Sequence, residues 1–132
     1  NADNQDLWHK IVHAVANVNR TVFHFDLEGC YEAAQLTVYN AEDNGNYNWH
    51  VDLSPFTPDS PRKLSMSLLL SDPADFDGGK LEVKTDSDTA HVLEQRLGRA
   101  WFFPSWVLHR VSPVTRGQRK SLVLWVGGAP FR

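Results

Sequence analysis

Leu64-Ser65-Met66-Ser67-Leu68-Leu69-Leu70-Ser71 alternates strictly, with Leu64, Met66, Leu68 and Leu70 on one face and Ser65, Ser67 and Leu69 on the other. Alternate side chains of a strand point to opposite faces, so the stretch predicts a β-strand with one core face and one small, partly polar face. The same period recurs on both sides of it. Strands are expected at about 21–27, 34–40, 49–53, 80–85, 90–97, 99–103, 107–112 and 121–127, separated by turn residues such as Asp77-Gly78-Gly79. Between two of them, 54–62 carries Pro55, Pro58 and Pro61, which forbid a central strand and favour an exposed loop. Before the strands the period changes: Leu7, Ile11, Val15 and Val18 recur at helical spacing, predicting an amphipathic helix over about 6–19. One helix followed by many short strands predicts a mainly β (α+β) protein, a double-sheet jelly roll with the helix packed on a sheet.

The chain has 132 residues, enough for one core, so a single domain over 1–132 is expected, with a jelly-roll core over about 21–127. Hydrophobic residues make up 42% and charged residues 22%, as in soluble globular proteins. A net charge of −3 gives no broad electrostatic attraction for nucleic acid or an acidic membrane, and neither is expected as a partner. The lone cysteine, Cys30, excludes an internal disulfide and fits a reducing compartment, so a soluble cytoplasmic protein is expected. The sequence begins without Met, so a missing upstream portion or a removed leader stays an open alternative.

Chemistry concentrates in His50-Val51-Asp52, a distant His109, and Arg119. Two imidazoles and one carboxylate are ligands with which proteins hold Fe(II) on one face, leaving other positions open. On a strand, His50 and Asp52 would project from the same side, and His109 could reach the metal from across a sandwich. Arg119 and Trp125, six apart, share a face of the last strand. A buried arginine there needs a partner, and a dicarboxylate could be it, although a surface arginine reads as well from the strand alone. Ser65 and Ser67 leave room and supply hydroxyls, and Tyr39, on one face with Gln35 and Thr37, could donate to a small polar ligand. His9 and His13 have ligand spacing on the helix but lack the glutamate of a metalloprotease. His24 and His91 read as strand histidines without partners. Cys30 reads as an incidental thiol.

These segments resemble a known family. From about 35 to 125 the chain is similar to the prolyl-hydroxylase-like branch of the 2-oxoglutarate and Fe(II)-dependent dioxygenases, most closely to PKHD-type hydroxylases. The resemblance is carried by His50-Val51-Asp52, by Leu69-Leu70-Ser71-Asp72-Pro73 leading to Phe76-Asp77-Gly78-Gly79-Lys80-Leu81, and by Phe103-Pro104-Ser105 leading to Leu108-His109-Arg110-Val111. Ser112-Pro113-Val114-Thr115-Arg116-Gly117-Gln118-Arg119 continues it, and Trp125 closes it. It implies a double-stranded β-helix, catalytic iron held by His50, Asp52 and His109, the far carboxylate of 2-oxoglutarate on Arg119, and Trp125 in the pocket. It further implies O2 as oxidant, release of succinate and CO2, and hydroxylation of a small-molecule or peptidyl substrate, with a prolyl or other amino acid side chain as the expected target. Asp52 favours hydroxylation, since halogenating relatives lack the carboxylate. Where prolyl hydroxylases often place a tyrosine this chain has Leu69, so a second carboxylate donor would come from Ser65, Ser67 or Tyr39. The chain stops soon after Trp125, short of the extension such enzymes often carry, so the resemblance carries over the chemistry but not substrate recognition or oligomer contacts. The segment 54–62 is expected to act as a substrate lid, with Trp49 and Trp106 as rim contacts or as core. Two alternatives stay open: a cupin-type metal enzyme that does not use 2-oxoglutarate, and a non-catalytic metal-binding or sensing module.

Overall fold

A computed structural model of the chain describes residues 2–30, 32–52, 62–86 and 89–128. Helix α1 (Ala2–Val18) runs into a π-helical turn (Asn19–Phe23). Nine strands follow among the described residues: β1 (Gln35–Asn40), β2 (Tyr47–His50), β3 (Arg62–Leu69), β4 (Phe76–Gly78), β5 (Leu81–Lys84), β6 (Ala90–Val92), β7 (Ala100–Pro104), β8 (Leu108–Val111) and β9 (Val114–Gly127). They form two antiparallel sheets. The larger has the order β1-β9-β3-β7, with β4 also on β9, and the smaller has the order β2-β8-β5-β6. This is the expected double-stranded β-helix, or jelly roll, with an N-terminal helix.

The alternation at 64–71 works as read, but both faces are covered. Met66 and Leu68 pack with Ile11 of α1 and Leu124 of β9, while Leu69 on the opposite face packs with Phe76 and Val114. Ser65, at 1% exposure, is as buried as its leucine neighbours, because β3 lies between β7 and β9. Leu70 is the exception. The strand stops at Leu69, and Leu70 is exposed rather than core. Helix α1 is held mainly through Ile11, with Leu7 and Trp8 exposed, so the amphipathic stripe is only partly covered.

Three other expectations are corrected. Residues 21–27 are no strand: Asn19 Nδ2 donates to the Phe25 carbonyl (2.9 Å), and the Phe25 N–H donates to Asn19 Oδ1 (2.7 Å). His24 turns left-handed at φ 54°. Side-chain bonds of this kind compete with a sheet ladder. The strand expected at 90–97 ends at Val92, and the one expected at 121–127 begins at Val114, giving a 14-residue β9 that pairs with β1, β3 and β4. No helix among the described residues is long and apolar enough to cross a membrane.

Candidate metal and dicarboxylate site

The two sheets enclose a cavity of about 300 Å³. At its wall on the smaller sheet, His50 of β2 lies directly opposite His109 of β8 in the register, their rings 4.1 Å apart. Asp52 is not on the strand as expected. It follows the end of β2, and its N–H donates to the Ser105 carbonyl at 2.9 Å. This anchoring brings Asp52 Oδ1 to 3.3 Å from both His50 Nε2 and His109 Nε2. The ligand atoms of all three lie within 4.8 Å of one another, so together they could hold a metal ion.

The remaining atoms of the three side chains are tied down. His50 Nδ1 contacts the Asn48 carbonyl at 2.7 Å, and His109 Nδ1 the Val107 carbonyl at 2.9 Å. A carbonyl can only accept, so each Nδ1 carries the proton and each Nε2 presents its lone pair. Burial lowers the basicity of His50 and favours the neutral ring that a metal needs. For Asp52 burial acts against ionisation. The neighbouring His109 ring and the Ser65 hydroxyl outweigh it, and the carboxyl is held below its usual range. Ser65 Oγ donates to Asp52 Oδ2 at 2.6 Å and touches Ser105 Oγ at 3.0 Å. A buried carboxylate facing two ring lone pairs, with no Lys or Arg side chain paired to it among the described residues, fits a divalent cation.

Arg119 lies in the same cavity, 2% exposed. Parity on β9 holds: Arg119, Ser121, Val123 and Trp125 all line it, as do Gln35, Thr37 and Tyr39 of β1 and Ser67 of β3. Among the described residues no carboxylate pairs with Arg119. Its partners are neutral, Gln95 Oε1 at 3.0 and 3.1 Å and Ser121 Oγ at 3.3 Å. Burial pulls its pKa down to about 10. Trp125 adds an unfilled donor, because its buried Nε1 has no hydrogen-bond acceptor in standard geometry, although it is near enough to Asp52 to help hold that carboxyl down. An uncompensated buried cation in the wall of a cavity fits an anionic, acceptor-rich ligand.

The candidates thus divide. His50, Asp52 and His109 converge, and Arg119, Tyr39, Ser67 and Trp125 share their cavity, whereas the hydroxyl proton of Ser65 is committed to Asp52 instead of to a ligand. Burial raises the pKa of the Tyr39 phenol against the pull of Arg119, so it stays a donor. Trp49 faces Lys84 and Arg110 in cation-π contacts, and Trp106, 45% exposed, packs tilted against Phe25 with ring centroids 5.5 Å apart. His9, His13, His91 and Cys30 are exposed. The lid expected at 54–62 lies outside the described residues except for Arg62. Sequence reasoning missed Gln95, Tyr47 and Arg62. Tyr47 packs tilted against His50 with ring centroids 3.7 Å apart, and Arg62 covers the Trp125 ring at 3.9 Å while pairing with Glu32. Only spatial neighbours reveal these three.

Residues 34–127 match the family model described as the 2OG-Fe(II) oxygenase superfamily. A PKHD-type hydroxylase of Teredinibacter turnerae is 39% identical over 93 residues, covering 67% of this chain and 41% of that protein. Another from Xylella fastidiosa is 33% identical over 131 residues, covering 92% of this chain and 55% of its own length. The chain therefore spans about half or less of these curated relatives. Among solved structures, a Pseudomonas putida prolyl-4-hydroxylase superposes with a TM-score of 0.69 at 27% identity, over 89% of this chain and 63% of that one.

Proposed function

Because the chain belongs to the 2OG-Fe(II) oxygenase superfamily, we propose that it forms one oxygenase domain in which His50, Asp52 and His109 hold Fe(II) and Arg119 holds the far carboxylate of 2-oxoglutarate. The observation that carries the reading is the pairing of opposite needs in one cavity: a carboxylate and two lone pairs awaiting a cation, and a buried arginine awaiting an anion. A metal enzyme indifferent to 2-oxoglutarate would gain nothing from an uncompensated buried charge, which costs several kcal/mol, roughly, when left unpaired.

Iron bound there supplies O2 activation coupled to decarboxylation of 2-oxoglutarate to succinate and CO2, the oxidising power for hydroxylation. The chain's own residues prepare it. The Asn48 and Val107 carbonyls hold the imidazoles as Nε2 donors, and Ser65 fixes the carboxylate. Arg119 orients the cosubstrate before the substrate arrives, with Ser67, Ser121 and Tyr39 at hand as hydroxyl donors. Phe103, packed 4.7 Å from the His109 ring, and Leu81 keep that wall apolar.

For the substrate, the likeness to prolyl-4-hydroxylase and PKHD-type enzymes supports a prolyl or other amino acid side chain, free or in a peptide. A soluble cytoplasmic setting belongs to the same proposal and draws on the lone free cysteine. Anaerobic addition of Fe(II) and 2-oxoglutarate tests the reading. A weak visible charge-transfer band is expected only with both present, and folded protein that gives no band would overturn it. A succinate-release screen over amino acids and peptides then identifies the substrate.

A further inference from the structure

Arg119 is gripped by a side chain that offers it no charge. Gln95, on the irregular segment after β6, accepts through Oε1 from Arg119 Nε at 3.1 Å and Nη2 at 3.0 Å. Its Nε2 donates to the Gly79 carbonyl at 2.9 Å, which fixes the amide's orientation. Arg119 Nη1 donates to Ser121 Oγ at 3.3 Å. One side of the guanidinium fork is thereby closed. Among the described residues, one N–H on each terminal nitrogen remains for a ligand.

Gly79 serves both partners. With φ at 56° it turns its carbonyl to the Gln95 amide, and a Cβ there would stand 2.9 Å from Arg119 Cδ and 3.0 Å from Val114 Cγ2. The Asp77-Gly78-Gly79 turn therefore makes room for the arginine stem as well as reversing the chain.

A carboxylate in the place of this amide would make the same two-point contact more strongly, but it would cancel the positive charge. We infer that Gln95 is a positioning residue for Arg119, an amide that fixes the direction of the guanidinium while leaving its charge for the far carboxylate of a dicarboxylate cosubstrate. The inference rests on the function proposed above and adds how the cavity keeps its cation from being neutralised by the protein itself.

The test is dicarboxylate binding by wild type, Gln95→Glu and Gln95→Asn. Glutarate, which has two carboxylates and no keto acid to chelate metal, reads the arginine end alone by calorimetry on metal-free protein. Gln95→Glu should weaken glutarate about tenfold to a hundredfold, the loss of one or two charge-assisted contacts, while its ligand-free melting temperature sets the new ion pair with Arg119 against the lost donation to the Gly79 carbonyl. Gln95→Asn, too short to span Arg119 and Gly79, should weaken it roughly severalfold. In the iron-loaded enzyme both should raise KM for 2-oxoglutarate and leave kcat near wild type, a split that a merely structural role would not give. A folded Gln95→Glu protein that binds glutarate as tightly as wild type overturns the inference alone. Should that variant not fold, unchanged affinity in Gln95→Asn overturns it. Wild-type protein that binds neither glutarate nor 2-oxoglutarate overturns the proposed function with it.

Discussion

Ser65→Ala removes one oxygen from a place where its loss can be calculated. The hydroxyl donates to Asp52 Oδ2 at 2.6 Å inside a site where Ser65 is 1% and Asp52 7% exposed, so water cannot replace it cheaply. A hydrogen bond to a buried carboxylate contributes about 1.5–3 kcal/mol. At about 1.4 kcal/mol per factor of ten, its loss corresponds to roughly a ten- to hundredfold change in an equilibrium that depends on that carboxylate. Groups that orient metal ligands in other proteins show the same range, about 10–100-fold in metal affinity. Ser105 Oγ also loses its neighbour at 3.0 Å, so the fold itself weakens by about 1–3 kcal/mol. The two effects separate when Fe(II) or Co(II) is competed against a chelator at a temperature where circular dichroism shows the variant folded. The expected outcome is metal affinity down about ten- to a hundredfold with the strands intact. Folded Ser65→Ala protein with affinity within about twofold of wild type would refute the assignment of Ser65 to the carboxylate, because that change is under 0.5 kcal/mol, roughly.

Arg119→Met should abolish dicarboxylate binding yet leave ligand-free protein as stable as wild type or up to about 1–4 kcal/mol more so, since a buried uncompensated charge is removed; calorimetric melting checks the sign. The folded-state pKa of Arg119 is depressed to about 10, so the unfolded chain binds the extra proton above that pH and stability from this group rises with pH there. Dicarboxylate affinity moves the other way, falling by about tenfold per pH unit above about 10, and titration calorimetry in that range reads it. Gly79→Ala places a methyl against Arg119 Cδ and Val114 in a left-handed backbone and should cost about 1–3 kcal/mol in melting together with a loss of glutarate binding. Leu124→Ala, at the centre of the cluster with Ile11, Met66 and Leu68, should cost about 2–5 kcal/mol in urea unfolding without changing metal affinity in the folded state.

The strands were legible wherever one period governed both pattern and burial, as at 35–40 and 64–69, and that parity also placed Arg119 with Trp125 and Tyr39 with Thr37 in the cavity. It misled where side chains redirect the backbone. Asn19 clamps Phe25 and turns an apolar run away from the sheet. Asp52 meets the histidines from beyond the end of β2, anchored on Ser105, so the strand-parity argument reached the right neighbours by the wrong geometry. Serine composition suggested ligand contact for Ser65 and Ser67 alike, but only register, with Ser65 opposite Trp125 and Phe103, shows which one lies behind the carboxylate. Gln95 left no trace in the pattern, since it sits where alternation predicted a strand and the chain instead leaves the sheet after Val92.

Strand β9 has a consequence for how the protein comes into being. Its partners lie far back in the chain: Gln35 opposite Val123, Ser65 opposite Trp125, Phe76 opposite Gly117. During synthesis β1 and the β9-facing edge of β3 must wait until the residues after 114 emerge, and closing such long loops precedes any reward from pairing. The slow step of folding should therefore be the insertion of this one segment between β1 and β3. Until it is in place the nascent chain exposes β1 and one edge of β3, whose other edge pairs with β7, and open edges of this kind favour aggregation.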